Sequence, residues 1–218
     1  MMSREFKVFV TDKSHASYAP EICRLIEDSA KQRGTGIAKR DVNYIVRKME
    51  EGKAVICLRN DGQLAGFCYI ETWSNANYVA NSGLIVHPDF RKHGLAKMIK
   101  KKAFNLSKKL YPKAKLFGLT TSLAVMKINS DLGYKPVTFS EITQDDQFWQ
   151  GCSSCVNYDI LNRMKRVHCL CTGMMYDPTQ KWVNGEKFPF KGFKIYERWL
   201  QFKRFVLLSR FKKENNDN

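Results

Sequence analysis

The stretch that most restricts the fold of this chain covers residues 81–103 and reads NSGLIVHPDFRKHGLAKMIKKKA. An apolar run over residues 84–86 ends at His87 and Pro88, and a lysine-rich pattern with helical spacing follows Gly94. A strand that leads through a glycine turn into a helix forms an anion site, because the first helical amides lack internal partners and the helix dipole adds positive charge there. Gly94 has no side chain and Ala96 a small one, so a phosphate can approach this backbone closely.

This turn differs from two common phosphate-binding motifs, since it has neither the G-x-G-x-x-G of Rossmann folds nor the G-x-x-x-x-G-K-S/T of P-loops. It resembles the acetyl-CoA signature Arg/Gln-x-x-Gly-x-Gly/Ala of the GNAT N-acetyltransferase superfamily. Arg91, Gly94 and Ala96 fill the three defining positions of that signature, after a strand that ends in the Val-x-Pro of Val86 and Pro88. The resemblance extends over about residues 6–140, roughly two thirds of the chain.

Hydrophobic periodicity and turn residues predict alternating strands and helices along this part of the chain. Helices are predicted from Pro20 and after Asp41, and strands over residues 6–10, 54–59, 64–72, 78–86 and 116–120. Together with the resemblance, this order implies an α+β (mixed α/β) GNAT fold. Its central sheet is mixed, largely antiparallel, of about six or seven strands, and flanked by helices, with a C-terminal extension.

Three parts of the chain are predicted. Residues 1–150 form the acyltransferase core. Residues 151–180 contain cysteines and either complete the sheet or form a small metal-binding lobe. Residues 181–218 form a basic, aromatic extension that is predicted to be helical and to pack on the core, although membranes and nucleic acids also attract such segments.

Composition limits the class of protein further. With 44% hydrophobic and 27% charged residues, the 218-residue chain is typical of a globular protein. It has no run of about 18 apolar residues, so no membrane span is expected, and its first residues do not resemble a secretory signal. Seven cysteines in such a chain favour a reducing cytoplasm. The net charge of +16 favours anionic partners, among them the phosphates of coenzyme A, and leaves nucleic acid open.

The resemblance implies direct transfer of an acyl group from a CoA thioester to an amine. Glu71 is the first candidate for the general base and His87 the second, with bulk water or another group as alternatives. Asn129 stands where the family often has a tyrosine that protonates the departing CoA thiolate. Gly133 and Tyr134 match the Gly-Phe that ends the family's fourth helix.

Binding residues follow from the same resemblance. The strand and turn that would hold acetyl-CoA or another acyl-CoA contribute Leu84, Ile85, Val86, Arg91, Lys92, His93, Gly94, Leu95 and Ala96. In the family, the region between the first two helices commonly lines the acceptor site. The candidates for gripping the acceptor are therefore Arg33, Thr35 and Arg40, with Asn81 and Ser82 on the cofactor strand. A solvated basic turn is the alternative for the first three.

The helix after Gly94 is predicted to bury its apolar stripe and to expose its lysines. The inward residues are Leu95, Met98, Ile99, Ala103 and Leu106. The residues expected to face water or phosphate are Lys97, Lys100, Lys101, Lys102, Lys108 and Lys109.

Four cysteines near the C-terminal third follow a C-x2-C-x13-C-x-C pattern: Cys152, Cys155, Cys169 and Cys171. Two short knuckles of this kind can close a tetrahedral structural zinc site. The alternatives are buried cysteines on paired strands and a redox pair.

The function that these features predict is an acyl-CoA-dependent N-acyltransferase that acetylates or succinylates a small amine. The stretches RGTGIAKR, GFCYIETW and GLTTSLAVMKINSDLGY resemble the amino-acid N-acyltransferases of arginine biosynthesis, which acylate glutamate. A homodimer in the cytoplasm is expected. The alternatives are an acetyltransferase for another small amine or a protein N-terminus, and a non-catalytic module that binds CoA or nucleic acid.

Overall fold

A seven-stranded mixed sheet with the strand order β1-β2-β3-β4-β5-β7-β6 carries the fold. The computed structural model describes residues 5–33 and 40–180. The strands are β1 (Phe6–Val10), β2 (Ala54–Arg59), β3 (Leu64–Trp73), β4 (Tyr78–Val86), β5 (Lys115–Thr120), β6 (Lys135–Val137) and β7 (Thr172–Tyr176). The helices are α1 (Ala19–Arg33), α2 (Val42–Glu50), α3 (Leu95–Leu110), α4 (Leu123–Asp131), α5 (Asp146–Gln150) and α6 (Tyr158–Arg163).

Strands β1 to β4 form an antiparallel meander, and β4 then pairs with β5 in parallel across the α3 crossover. Strand β7 lies antiparallel between β5 and β6 and completes the sheet. The predicted mixed, largely antiparallel sheet with flanking helices is therefore confirmed. None of the described helices is long and apolar enough to cross a membrane.

Both faces of the sheet are covered near its centre. On one face, α1 and α2 bury apolar side chains such as Ile22, Ile45 and Met49 against β2 and β3. On the other face, α3 buries Leu95 and Ile99 against the same two strands. Alternate residues of β3 therefore enter different cores, because successive strand side chains point to opposite faces.

The buried face of α3 differs from the predicted one. Met98 is 37% exposed, whereas Lys100 is only 2% exposed and lies in the interior. The buried positions of this helix are Leu95, Ile99, Lys100, Ala103, Phe104 and Ser107. These positions form one stripe with the helical repeat of 3.6 residues, and that stripe includes the polar residues Lys100 and Ser107. The prediction counted only apolar residues as buried, so it placed the buried face of α3 wrongly.

Strand β4 carries a bulge at Gly83. The register with β3 shifts between the pairs Phe67–Ile85 and Tyr69–Ser82. Gly83 has a left-handed φ of +63°, and a Cβ atom there would lie 2.7 Å from Cε1 of the Tyr69 ring. Only glycine combines this backbone conformation with such a close ring, so the bulge depends on Gly83.

We expect Gly83→Ala to lower the free energy of unfolding by about 2–4 kcal/mol, because it adds a left-handed alanine and an overpacked contact. Denaturant unfolding followed by circular dichroism measures this loss. Gly118→Ala is the matched control on β5, where an added Cβ atom would meet nothing within 4 Å. Equal losses in the two variants would show that the bulge does not depend on Gly83.

Candidate active site

The candidate site lies where β4 and β5 separate. The two strands pair in parallel only at Tyr78–Lys115, Val79–Leu116 and Ala80–Phe117. Beyond these pairs β4 continues to Val86 and β5 to Thr120 without further register between them. A wedge-shaped opening therefore begins beside Ala80, and main-chain groups along its edges are available to an extended ligand.

The wedge leads to the turn that begins α3. Gly94 is the N-cap residue of that helix, with a φ of +73° and no side-chain cap. A Cβ atom at Gly94 would meet nothing within 4 Å, so the space beside the turn is open. The amides of Leu95 and Ala96 lie in the first helical turn, where they have no carbonyl partner within the helix. This cradle fits a phosphate group of CoA.

Side chains around the cradle add positive charge. Arg91, Lys92 and His93 are exposed at the turn. Lys92 has a left-handed φ of +69°, and Nδ1 of His93 lies 2.9 Å from the carbonyl oxygen of Arg91, which holds the turn in shape. These residues remain predicted contacts of the cofactor.

Strand β4 divides its side chains between the two faces. Leu84 and Val86 pack on the α3 side, whereas Ile85 is buried against α1 and α2. The predicted cofactor strand therefore presents its backbone edge, rather than one continuous row of side chains, to the wedge.

Glu71 lies at the mouth of the wedge, opposite Ala80 in the β3–β4 register. Its Oε1 contacts the ammonium group of Lys48, and its Oε2 accepts a hydrogen bond from the hydroxyl of Tyr44. The Lys48 and Glu71 side chains are 14% and 19% exposed, so most of this ion pair is shielded from water. Burial, and then the hydrogen bond to Glu71, raise the pKa of Tyr44, which therefore stays protonated and donates.

Arg40 extends this polar group. Its Nε donates a hydrogen bond to the hydroxyl of Tyr69, and its guanidinium carbon lies 5.7 Å from the centre of that ring. Burial raises the pKa of Tyr69, against an opposing effect of the Arg40 charge. The predicted site residue Arg40 thus joins Tyr44, Lys48 and Glu71 on the α2 side of the sheet. Thr35 and the side chain of Arg33 lie outside the described residues.

Two predicted site residues lie elsewhere. Asn81 points to the α3 side, where its Nδ2 donates to Oγ of Ser107 at 2.7 Å, so it is corrected from an acceptor-side residue to a core residue. Strand alternation explains this, because its neighbour Ser82, opposite Tyr69, takes the other face. His87 follows the far end of β4 and accepts from the amide of Asp89 at 3.4 Å. It is therefore about 20 Å along the strand from Ala80 and Glu71.

Asn129 is 2% exposed on α4. Its Nδ2 lies 3.7 Å from the sulfur of Met174, and its Oδ1 has no hydrogen-bond partner among the described residues. An amide has no proton that it can transfer near neutral pH, so Asn129 can orient a group but cannot replace an acidic tyrosine.

The four cysteines of the predicted zinc site do line one small cavity: Cys152, Cys155, Cys169 and Cys171. All are free thiols. Burial, followed by the neighbouring thiols, raises the pKa of Cys152 to about 11 and that of Cys171 to about 12. Across the described parts of the chain, no group of three or more His, Cys, Asp and Glu residues could hold a metal ion. The zinc prediction is therefore corrected: Cys152 and Cys171 stay protonated, and together with Cys169 they belong to an apolar core.

Sequence reasoning missed Tyr44 and Lys48, although a signal was present. They are four residues apart on α2, so they lie on the same face and can contact one partner together. Only a helix after Asp41 was predicted here, without an assignment of its polar face. The contact with Glu71 depends on tertiary packing, which spacing alone does not show.

Comparison with known proteins identifies the class. Residues 22–125 match the model of the acetyltransferase (GNAT) family, a span that includes Glu71 and the Gly94 turn. This match agrees with the strand order of the sheet and confirms the resemblance to the GNAT superfamily over residues 22–125. No curated protein matches the chain significantly.

Solved structures share its fold. N-acetylglutamate synthase from Neisseria gonorrhoeae, complexed with coenzyme A and N-acetyl-glutamate, is 15% identical with a TM-score of 0.57. The match covers 80% of this chain but 35% of the synthase, so the chain spans about a third of that protein. A Mycobacterium tuberculosis protein in complex with CoA is 14% identical, with a TM-score of 0.56 and coverage of 78% and 98%.

A phosphinothricin acetyltransferase from Sinorhizobium meliloti in complex with AcCoA is 12% identical, with a TM-score of 0.54. That match covers 83% of this chain and 95% of the acetyltransferase. At such identities the likeness establishes the fold alone.

We expect Gly94→Val to weaken acetyl-CoA binding by at least about tenfold, because its side chain fills the open space at the cradle, and isothermal titration calorimetry measures the change. Gly62→Val in the β2–β3 turn is the matched control. Gly62 also has a left-handed φ, +89°, and a Cβ atom there would lie 3.7 Å from the hydroxyl of Tyr18. If Gly94→Val folds and binds acetyl-CoA as tightly as Gly62→Val does, the cradle is not the phosphate site.

Proposed function

We propose that this protein transfers the acyl group of an acyl-CoA to the α-amine of a small dicarboxylic amino acid, with glutamate as the first candidate acceptor. The observation that carries this proposal is the placement of Glu71 at the mouth of the wedge, between the hydroxyl of Tyr44 and the ammonium of Lys48. In this arrangement Glu71 can accept a proton from an amine, and Lys48 can pair with a carboxylate of the same acceptor.

Glu71 has the chemistry of a general base. An amino acid reaches the site as an ammonium ion and must lose a proton before its nitrogen can attack a thioester. Before the acceptor arrives, Lys48 holds the Glu71 carboxylate in place. An acceptor carboxylate that pairs with Lys48 releases Oε1 of Glu71 from this contact and leaves it free to accept a proton from the acceptor amine.

The backbone of β4 supplies the second requirement of the reaction. Beyond Ala80 its edge faces the wedge without a β5 partner in register. An extended pantetheine arm can therefore add to this edge by main-chain hydrogen bonds, in the manner of an extra strand. An amide near the bulge would then meet the thioester carbonyl and stabilise the oxyanion that develops there.

Cations on the α2 side favour a carboxylate-bearing acceptor. Arg40 and Lys48 lie on this side with Glu71, and Arg47 packs its guanidinium 5.5 Å from the centre of the Tyr44 ring. Arginine binds carboxylates through paired hydrogen bonds, which gives direction as well as charge. The presence of N-acetyl-glutamate in the complex of the fold relative from Neisseria gonorrhoeae supports glutamate. An N-acylated glutamate would connect the protein to arginine biosynthesis.

The acyl group and the acceptor can be identified together in one experiment. Release of free CoA thiol is measured across a panel of amino acids, with acetyl-CoA and with succinyl-CoA as donors. We expect the highest kcat/KM with a dicarboxylic amino acid. A preference for amines without a carboxylate would overturn the proposed acceptor class, and the absence of turnover with every amine would overturn the proposed activity.

We expect Glu71→Gln to lower kcat by about 10²–10⁴-fold while leaving acetyl-CoA affinity unchanged, because the amide cannot accept a proton from the acceptor. Steady-state kinetics and calorimetry measure the two quantities. Glu51→Gln is the control, since Glu51 is exposed and pairs with Lys53. A Glu71→Gln enzyme as fast as the Glu51→Gln enzyme would show that another group or bulk water takes the proton.

Arg40→Met should raise KM for the preferred dicarboxylic acceptor by about 10–100-fold, the usual contribution of a hydrogen bond to a charged group. For the analogue in which the recognised carboxylate is an amide, the same substitution should change KM little. Arg24→Met, at an exposed position of α1, is the control. An equal rise in KM for acid and amide would assign Arg40 a structural role through Tyr69.

A further inference from the structure

Lys100 is a buried cation without an anionic partner. It lies on the second turn of α3 with 2% of its surface exposed. Within residues 5–33 and 40–180 it forms no ion pair, and its Nζ lies 5.2 Å from the centre of the Tyr134 ring. Burying a charge without a counter-ion costs stability, so a structural role does not explain this lysine.

The register between α3 and β4 places Lys100 beside the bulge. Ser107 of α3 bonds to Asn81 of β4 at 2.7 Å, which fixes one point of the register. Lys100 is seven residues nearer the start of α3, or about 10 Å along the helix axis. Helix α3 runs in the opposite direction to β4. The residue of β4 that lies about 10 Å from Asn81, beside Lys100, is therefore Leu84.

A second contact places Lys100 at the same position along β4. The Cys68 thiol is close enough to influence the charge of Lys100, and it donates a hydrogen bond to the carbonyl of Ser82 at 3.4 Å. Cys68 lies between Phe67 and Tyr69, whose partners on β4 are separated by the bulge at Gly83. The ammonium of Lys100 therefore lies near the bulge, on the α3 face of the sheet.

The ring next to Lys100 carries a polar atom without a partner. The hydroxyl of Tyr134 is buried and has no hydrogen-bond partner among the residues that the structure describes. Unsatisfied polar groups are rare in folded proteins, and one beside a buried cation is consistent with a site for a polar ligand.

We propose that Lys100 is the general acid of the reaction and gives its proton to the sulfur of the departing CoA thiolate. This proposal rests on the acyltransferase activity proposed above. Lys100 takes the role that the Asn129 amide cannot perform, and it approaches from the face of the sheet opposite to Glu71.

The step balances in atoms and charge. The acceptor nitrogen forms a bond to the thioester carbon, and the carbon–sulfur bond breaks with its electron pair on sulfur. The Lys100 ammonium transfers one proton to that sulfur, which gives the CoA thiol and a neutral amine. The acceptor nitrogen loses two protons in all: Glu71 takes the first before attack and releases it to solvent, and the nitrogen loses the second to solvent after the carbon–nitrogen bond forms. Lys100 recovers one proton from solvent, so the net change is one proton on the CoA sulfur and one released.

The electrostatic environment of Lys100 supports this role. Burial lowers the pKa of Lys100 to about 8, while the Cys68 thiol opposes the shift. The other ionisable group that faces it is Tyr134, whose pKa is raised by burial, so this phenol stays neutral. An amine with a pKa near the working pH is an efficient proton donor to a thiolate, because it is still protonated there and releases its proton easily.

The test compares Lys100→Met with Lys101→Met, an exposed neighbour on the same helix. We expect Lys100→Met to lower kcat about 100-fold with little change in acetyl-CoA affinity, and Lys101→Met to change neither. The wild-type profile of kcat/KM against pH should fall above pH about 8, as Lys100 loses its proton. That descending limb should disappear in Lys100→Met.

The thermal stability of Lys100→Met distinguishes a catalytic role of Lys100 from a structural one. Because the folded-state pKa of Lys100 lies below the unfolded value of about 10.5, folding is disfavoured by its charge below pH 8, and this cost disappears as the pH rises to about 10.5. Lys100→Met should therefore have a higher Tm than the wild type at pH 7, and the difference should shrink above pH 10.

The outcomes are distinct. A Lys100→Met enzyme with normal kcat and an unchanged descending limb overturns the assignment of the acid while the acyltransferase activity stands. A lower Tm at pH 7 shows that Lys100 is structural. If Lys100→Met does not fold, Lys100→Arg keeps the charge but does not release a proton near pH 8, and a descending limb retained in that variant also overturns the proposal. A wild-type enzyme without turnover rejects the acyltransferase function itself.

Discussion

The bulge at Gly83 is the constraint on which the candidate site depends. It turns β4 away from β5 just after three parallel pairs, and the two strands do not pair again. The left-handed backbone of Gly83 against the Tyr69 ring makes this turn possible. Because the strands separate, a central position in the sheet acquires free main-chain groups without exposing a sheet edge at the surface. The wedge, the phosphate cradle and the acceptor side are all arranged around that single irregularity.

Strand alternation then places the groups of the two proposed proton transfers on opposite faces. On β3, Tyr69 and Glu71 meet Arg40, Tyr44 and Lys48 on the α2 face. Cys68, which precedes Tyr69, faces α3 together with Lys100. The sheet therefore separates the proposed base from the proposed acid.

Local patterns predicted most of the fold and the cofactor turn, because strand alternation, capping and turn chemistry are properties of neighbouring residues. Asp41 illustrates this: a helix was predicted to begin directly after it, and its carboxylate caps α2 by accepting from the amide of Tyr44 at 3.0 Å. The prediction failed where tertiary packing overrides the local pattern. Lys100 was expected in water because a lysine between apolar positions normally marks an exposed face. The cysteine spacing predicted zinc, yet spacing does not reveal that these thiols enter an apolar core.

The errors on α3 are themselves informative about function. A buried lysine and a buried serine lie on α3, and the hydroxyl of Tyr134 beside Lys100 has no hydrogen-bond partner among the described residues. Natural sequences tolerate such local conflicts where function requires them, since each one lowers stability. An apolar residue at position 100 would satisfy the hydrophobic stripe of α3 better than lysine does. The lysine at position 100 therefore supports the proposed proton transfer at the wedge, because the hydrophobic stripe of α3 does not require it.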